Sequence, residues 1–271
     1  MQEIGIIGFG NMGSAIAGRL KADYRIFVFD KDKNKTNNLS DIKVARDTLD
    51  LINAVDIVIL AVKPQDFNNL LEEIKRQAKE KLFISIAAGI TTSYIEKYLA
   101  KARVIRAMPN MPARIGKGMT CLSKGRFAIE EDLNFTKQLF NRLGQTLILH
   151  EEMMDQATAI SGSGPGYLYD WSVGRNIEEV KKYAKDIFIP SLTASAKAIG
   201  FSPEEANILA RVTAEGSIVF LEKSNLLPSE LKKQVASKGG TTEAALEVLH
   251  KGGSLEEAVK AALSRAKELS H

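Results

Sequence analysis

A doubly wound α/β domain with a mostly parallel sheet over residues 1–150, followed by an all-helical domain over residues 151–271, is the fold class this sequence predicts. Three observations carry it. Short apolar runs alternate with helix-like stretches in the first half, as strands covered by helices on both faces require. A glycine-rich turn, Gly8-Phe9-Gly10-Asn11-Met12-Gly13, follows the first run directly and opens a helix. After residue 150 the strand signals stop and well-marked helix starts replace them.

The strands are predicted in order at residues 3–7, 25–29, 56–62, 82–86, 103–107 and 145–149, all short, apolar and rich in β-branched residues. Helices are predicted between them at 15–20, 68–79, 92–99 and 130–142. Arg106-Ala107-Met108-Pro109-Asn110-Met111-Pro112-Ala113 carries two prolines, which fix φ and remove donors, so it is expected to be a rigid non-helical connector. In the second half, Ser202-Pro203-Glu204-Glu205 and Ser254-Leu255-Glu256-Glu257 both show the capping-box pattern, the first with proline at N1. Gly239-Gly240-Thr241-Thr242 breaks the chain before another helix that reaches His250.

Composition narrows the function classes. The chain has 271 residues, 45% hydrophobic and 26% charged, with a formal charge of +4. So weak a positive balance gives no reason to expect a nucleic-acid partner. Cys121 is the sole cysteine, and His150, His250 and His271 are the only histidines. Neither a metal centre nor a Ser-His-Asp triad is expected from that inventory. No apolar run approaches the ~18 residues of a membrane span. Met1 leads straight into a strand with no signal peptide, so the expected location is cytoplasmic.

The glycine turn has the setting of a dinucleotide site. The first glycine permits the tight turn, the second lets backbone approach a pyrophosphate, and the third allows close helix–strand contact. Asp30 ends the second strand near the ~20-residue offset at which an acid holds the adenosine ribose. Lys31 and Lys33 follow it, within reach of a 2′-phosphate, so NADPH and NADH are both expected to serve. Ala61-Val62-Lys63-Pro64 and Ala87-Ala88-Gly89 lie at carboxyl ends of strands, where ligands of such sheets bind. Lys63 reads either as a cofactor contact or as a solvated surface lysine. Ser161-Gly162-Ser163-Gly164-Pro165-Gly166 reads first as a close helix contact. Val235-Ala236-Ser237-Lys238-Gly239-Gly240-Thr241-Thr242 offers glycine N–H groups and two hydroxyls at a helix N-terminus, suited to a carboxylate, or simply a threonine cap.

In combination and in this order, these segments resemble pyrroline-5-carboxylate reductase, and the resemblance spans nearly the whole chain. It implies a Rossmann domain, a helical dimerisation domain, a homodimer or larger assembly, and NAD(P)H-dependent reduction of a cyclic imine to proline. Residue by residue, it implies that Ile7, Gly8, Phe9, Gly10, Asn11 and Met12 hold the pyrophosphate. Ala61, Val62 and Lys63 would line the nicotinamide side, with Ala87 and Ala88 nearby. Ser237, Gly239, Gly240 and Thr241 would shape a carboxylate site, with Thr242 nearest the imine nitrogen. Two departures stand out: Lys238 replaces the family's usual proline, and roughly 20 residues around Trp171 to Pro190 look inserted after Tyr167. A related dehydrogenase on another substrate, or a non-catalytic dinucleotide-binding paralogue, are the alternatives this pattern leaves.

Overall fold

The structure, a computed structural model, describes residues 1–270, so the terminal His271 lies outside the described residues. Eight strands form one sheet: β1 (Glu3–Ile7), β2 (Arg25–Phe29), β3 (Lys43–Val44), β4 (Ile57–Leu60), β5 (Leu82–Ser85), β6 (Arg103–Pro109), β7 (Gly118–Lys124) and β8 (Gly144–Ile148). Their spatial order is β3-β2-β1-β4-β5-β6-β7-β8. Every pairing is parallel except β6 with β7, where Ala107 faces Leu122. The order reverses between β2 and β4 on either side of β1, which opens a crevice above the carboxyl end of β1.

Helices cover both faces. Helices α1 (Asn11–Leu20) and α5 (Glu130–Phe140) close one face, where Ile16, Leu20, Leu139 and Phe140 meet Ile4, Ile6, Ile59 and Ile84. Helices α2 (Thr48–Ala54), α3 (Phe67–Ile74) and α4 (Thr92–Tyr98) close the other, where Leu51, Phe67, Leu71 and Ile95 meet Ile7, Val58 and Phe83. Alternate residues of one strand thus serve two cores, which is why the strands carry no polar face.

Two expectations need correction here. Strand β7 and the two-residue β3 were not predicted, and the Arg106–Ala113 connector is not free of helix. A 3-10 turn runs over Met111–Ile115 with Pro112 in its first positions, where a missing N–H costs nothing. Together β6, this turn and β7 make a chain reversal.

The second half is helical throughout: α6 (Met154–Ala157), α7 (Gly164–Ser172), α8 (Ile177–Tyr183), α9 (Ile189–Ala198), α10 (Pro203–Lys223), α11 (Pro228–Val235), α12 (Thr241–His250) and α13 (Leu255–Leu269). Both capping boxes form as predicted, with Ser202 accepting from Glu205 N–H and Ser254 from Glu257 N–H. A π turn at Thr158–Gly162 joins α6 to α7, and another at Ala184–Phe188 joins α8 to α9. The polar stretch after Tyr167 forms an ordered helical hairpin. It turns at Gly174 (φ +77°), restarts at the Asn176 cap, and stacks Tyr183 on Trp171 at 3.6 Å.

The two halves are tied by buried polar groups. Arg106 of β6, 1% exposed, pairs with Glu151 at 3.0 Å and Asp155 at 3.2 Å. Asn110, also buried, donates to Ser161 O at 3.1 Å and accepts from Met119 N–H at 2.9 Å. Losing either partner would strand a desolvated group at a cost of about 1–3 kcal/mol, more where it is charged.

Candidate active site

The turn after β1 is shaped by main-chain contacts. Gly8 sits at φ +98°, and a Cβ there would lie 2.5 Å from Ala61 O. A Cβ on Gly13 would lie 2.1 Å from Gly8 O, so α1 approaches the turn only because Gly13 has none. Around Gly10 the situation is opposite: a Cβ would meet nothing within 4 Å. That open space above the first turn of α1 is what a pyrophosphate needs. Gly10 is the N-cap of α1 without any side-chain cap, and the first turn holds no acid, so its N–H groups face outward unopposed by side-chain charge. The turn therefore fits a dinucleotide, with Ile7 supplying the strand end and Phe9, Asn11 and Met12 the loop and first helical turn.

Asp30 stands beside this turn, 8% exposed. Its Oδ2 accepts from Phe9 N–H at 2.7 Å and its Oδ1 from Asp32 N–H at 2.8 Å. Burial pushes the Asp30 carboxyl up, but the N–H groups of Asp32 and Phe9 and the ammonium of Lys35 outweigh it and hold the pKa below its ordinary value. The cations of this loop are distributed differently from the sequence expectation. Lys31 pairs with Asp66 at 2.8 Å, bridging the turns that follow β2 and β4. Lys35, which the sequence reading passed over, is the lysine on Asp30.

Ala61, Val62, Lys63 and Pro64 follow β4, with Ala61 N–H bonded to Ile7 O at 2.8 Å. Lys63 is exposed, and Pro64 starts a 3-10 turn. Ala87 is buried and Ala88 partly so at the end of β5, where the carboxyl end of α13 arrives: Leu269 O would be 2.6 Å from a Cβ on Gly89.

The second group of predicted residues lies on the α11–α12 connection and meets the glycine stripe of α7. A Cβ on Gly166 would lie 2.4 Å from Thr242 Cγ2, and Ser163 Oγ is 2.9 Å from Thr241 Oγ1. Close helix contact was the first reading of that stripe, and it holds. Asp170, at the end of α7, accepts from Lys232 at 2.9 Å and pairs with His250 at 3.1 Å, fixing α7 to both α11 and α12.

One expectation about this loop is corrected. The glycine N–H groups are not free: Gly239 donates to Glu243 Oε2 at 2.6 Å and Gly240 to Ser237 O at 2.9 Å. Gly239 is further pinned by Arg265, whose Nε donates to its carbonyl at 2.7 Å. The outward-facing amides are instead those of the first turn of α12, because its N-cap is Gly240 and no side chain caps it. Ser237 Oγ lies against Gly240, 2.4 Å from where a Cβ would be, so Ser237, Gly239, Gly240, Thr241 and Thr242 do form one compact corner. Lys238 is exposed beside it.

The α11–α12 corner is tied to the sheet through β6. Met108 touches Gly162 and Asn110 holds Ser161, so the end of the sheet supports the segment that in turn supports Thr241 and Thr242. The sequence reading quoted Arg106 and Asn110 only as parts of a connector. A buried arginine at a strand end, with acids in the next helical segment, was the available signal.

Two family models match parts of the chain. A family model described as NADP oxidoreductase coenzyme F420-dependent matches residues 3–89, and one described as pyrroline-5-carboxylate reductase dimerisation matches residues 186–269. The second match begins beyond most of the hairpin that follows Tyr167. The chain is 32% identical to the pyrroline-5-carboxylate reductase of Synechocystis, covering 98% of each. It is 32% identical to that of Arabidopsis thaliana, covering 99% of this chain and 95% of the relative. Among solved structures, the pyrroline-5-carboxylate reductase of Coxiella burnetii is 31% identical, with a TM-score of 0.65 over 99% of this chain and 98% of that one. The Plasmodium falciparum pyrroline carboxylate reductase, solved with NADP bound, is 27% identical with a TM-score of 0.65 over 100% and 98%.

Proposed function

The chain belongs to the pyrroline-5-carboxylate reductase family, and we propose that it reduces 1-pyrroline-5-carboxylate to L-proline with NADPH or NADH, as the last step of proline synthesis. Residues 1–150 would hold the dinucleotide and residues 151–271 the substrate, in a cytoplasmic homodimer or larger homo-oligomer. The observation that carries this reading is a pair of helix starts. Among the described residues, only α1 and α12 have a glycine N-cap, Gly10 and Gly240, and neither receives a side-chain cap. The reaction brings together two anions, a pyrophosphate and a carboxylate. A helix N-terminus favours each by about 0.3–1 kcal/mol, and more when partly buried.

The bound dinucleotide supplies the hydride. The chain's own groups bind and orient. The amides of Gly10, Asn11 and Met12 would take the pyrophosphate, those of Gly8 and Phe9 being held by Phe29 O and Asp30, while Ala61, Val62, Lys63 and Pro64, with Ala87 and Ala88, would line the nicotinamide side. The first turn of α12 and Ser237 would take the carboxylate. Thr242, buried against Gly166, would set its hydroxyl at the ring nitrogen and accept the N–H of the protonated imine. A cyclic imine is basic enough to be protonated in solution, so no strong protein acid is required. Holding the two reactants in register can lower the barrier by roughly 7–11 kcal/mol.

The test is dinucleotide oxidation with 1-pyrroline-5-carboxylate, run on the wild type and on Thr242→Ala. The variant loses one hydrogen bond to a charged group, roughly 1.5–3 kcal/mol, so kcat/KM should fall about ten- to a hundredfold. NADPH affinity should not move. No activity in the wild type, or a variant that loses NADPH binding while keeping kcat/KM, would overturn the assignment.

A further inference from the structure

Resting on the proposed function, we infer that Lys35 reads the 2′ position of the adenosine ribose and selects the phosphorylated dinucleotide. The reasoning starts at Asp30. An acid at the end of the second strand ordinarily accepts the ribose 2′,3′-diol and disfavours a 2′-phosphate. Here both carboxylate oxygens are already engaged by the main chain, Oδ2 by Phe9 N–H and Oδ1 by Asp32 N–H. Lys35 Nζ then lies 3.3 Å from each oxygen. Equal distances set the ammonium against both oxygens at once, the same pair of acceptors a ribose diol would need. A lysine therefore competes with the two hydroxyls of NADH for this carboxylate.

The exposure of the two side chains gives the direction. The Asp30 side chain is 7% exposed and that of Lys35 45%, so the charge turned outward is the lysine's. An ammonium has three donors, and Asp30 uses at most two of them. The third is available to a phosphate oxygen. Two of the neighbouring charges are committed elsewhere, which leaves Lys33 as the rival cation. Lys31 is held by Asp66 at 2.8 Å, and Asp32 caps its own turn by accepting from Asn34 N–H. Asp30 is thereby turned from a ribose acceptor into a brace for the glycine turn.

The experiment titrates adenosine 2′,5′-bisphosphate and 5′-AMP calorimetrically against the wild type, Lys35→Met, Lys35→Arg and Lys33→Met. NADPH and NADH kinetics are measured alongside. The wild type should prefer the bisphosphate by about tenfold, the scale of one charge-assisted contact at a partly exposed site. Lys35→Met should erase that preference and move the kcat/KM ratio toward NADH by a similar factor, while Lys35→Arg keeps both. A preference that survives Lys35→Met, or that disappears with Lys33→Met instead, would overturn the inference. Bisphosphate selection that follows Lys35 in a protein inactive on 1-pyrroline-5-carboxylate would sustain it while overturning the assigned reaction.

Discussion

The glycine turn after β1 and the glycine stripe of α7 both let two pieces of chain approach closer than a Cβ permits, but they meet different atoms. At Gly8 and Gly13 the obstacles are Ala61 O and Gly8 O, main-chain atoms fixed by the sheet and the turn. At Gly164 and Gly166 they are Thr213 Cγ2 and Thr242 Cγ2, side-chain methyls on other helices. A carbonyl in a hydrogen-bonded strand cannot retreat, whereas a methyl is removable by mutation. The first tightness is therefore set by main chain alone. The second is an agreement between distant residues, and one of them is the proposed catalytic threonine.

Breaking the first should have the largest effect. Gly13→Ala places a methyl against Gly8 O and should cost about 3 kcal/mol, the upper end for overpacking, with NADPH binding lost. A urea midpoint like that of the wild type, with NADPH affinity retained, would show that α1 can slide away. Gly166→Ala should be milder and selective. It displaces Thr242, so kcat/KM should drop about tenfold while NADPH affinity holds. Adding Thr242→Ser removes the opposing Cγ2 and should recover most of that loss. Losses that simply add in the double variant would mean the two residues are not in the contact described.

The smallest effect sits on the border between the regions. Strand β7 pairs with the sheet, yet Met119 and Cys121 belong to the helical core while Leu122 belongs to the sheet core. Burial pushes the Cys121 thiol up to about 12. In the unfolded chain it ionises near pH 8.5, so stability is fully present below that pH and declines as pH rises toward 12. The loss should be about 1.4 kcal/mol by pH 9.5, and Cys121→Ala should flatten it. Thiol reagents should fail to label the native protein at pH 8. Rapid labelling would mean that the two cores separate readily at β7.

The contrast between the regions also explains what could be read in advance. The Gly8–Gly13 turn was legible because its three glycines lie within six residues and directly after a strand of unmistakable composition. Strand β7 was not, since Thr120, Cys121 and Ser123 interrupt the apolar pattern, and the burial of Cys121 depends on α6 and the π turn arriving above it. Lys35 escaped notice because its meaning comes from the 3-10 turn that brings it back to Asp30. In the α11–α12 corner the named residues do come together, but the glycine N–H groups expected to be free are not. Glu243 and Ser237 had already taken those of the glycines. Sequence shows which groups exist, while their competition for one another is decided by the turn.

The π turn between α6 and α7 fixes more than a helix junction. Such a turn amounts to one residue added to an otherwise α-helical path, and each helical residue advances about 100° and 1.5 Å. Everything beyond Gly162 is therefore phased by that single residue. With it, Ser163 faces Thr241 and Gly166 faces Thr242. Delete it, and α7 turns by more than a quarter revolution, presenting Tyr167 or Pro165 to α12 instead of a glycine. The register of α7 on α12 is thus stored as a rotational phase, so a one-residue slip in this short segment would change the proposed site more than many substitutions within it.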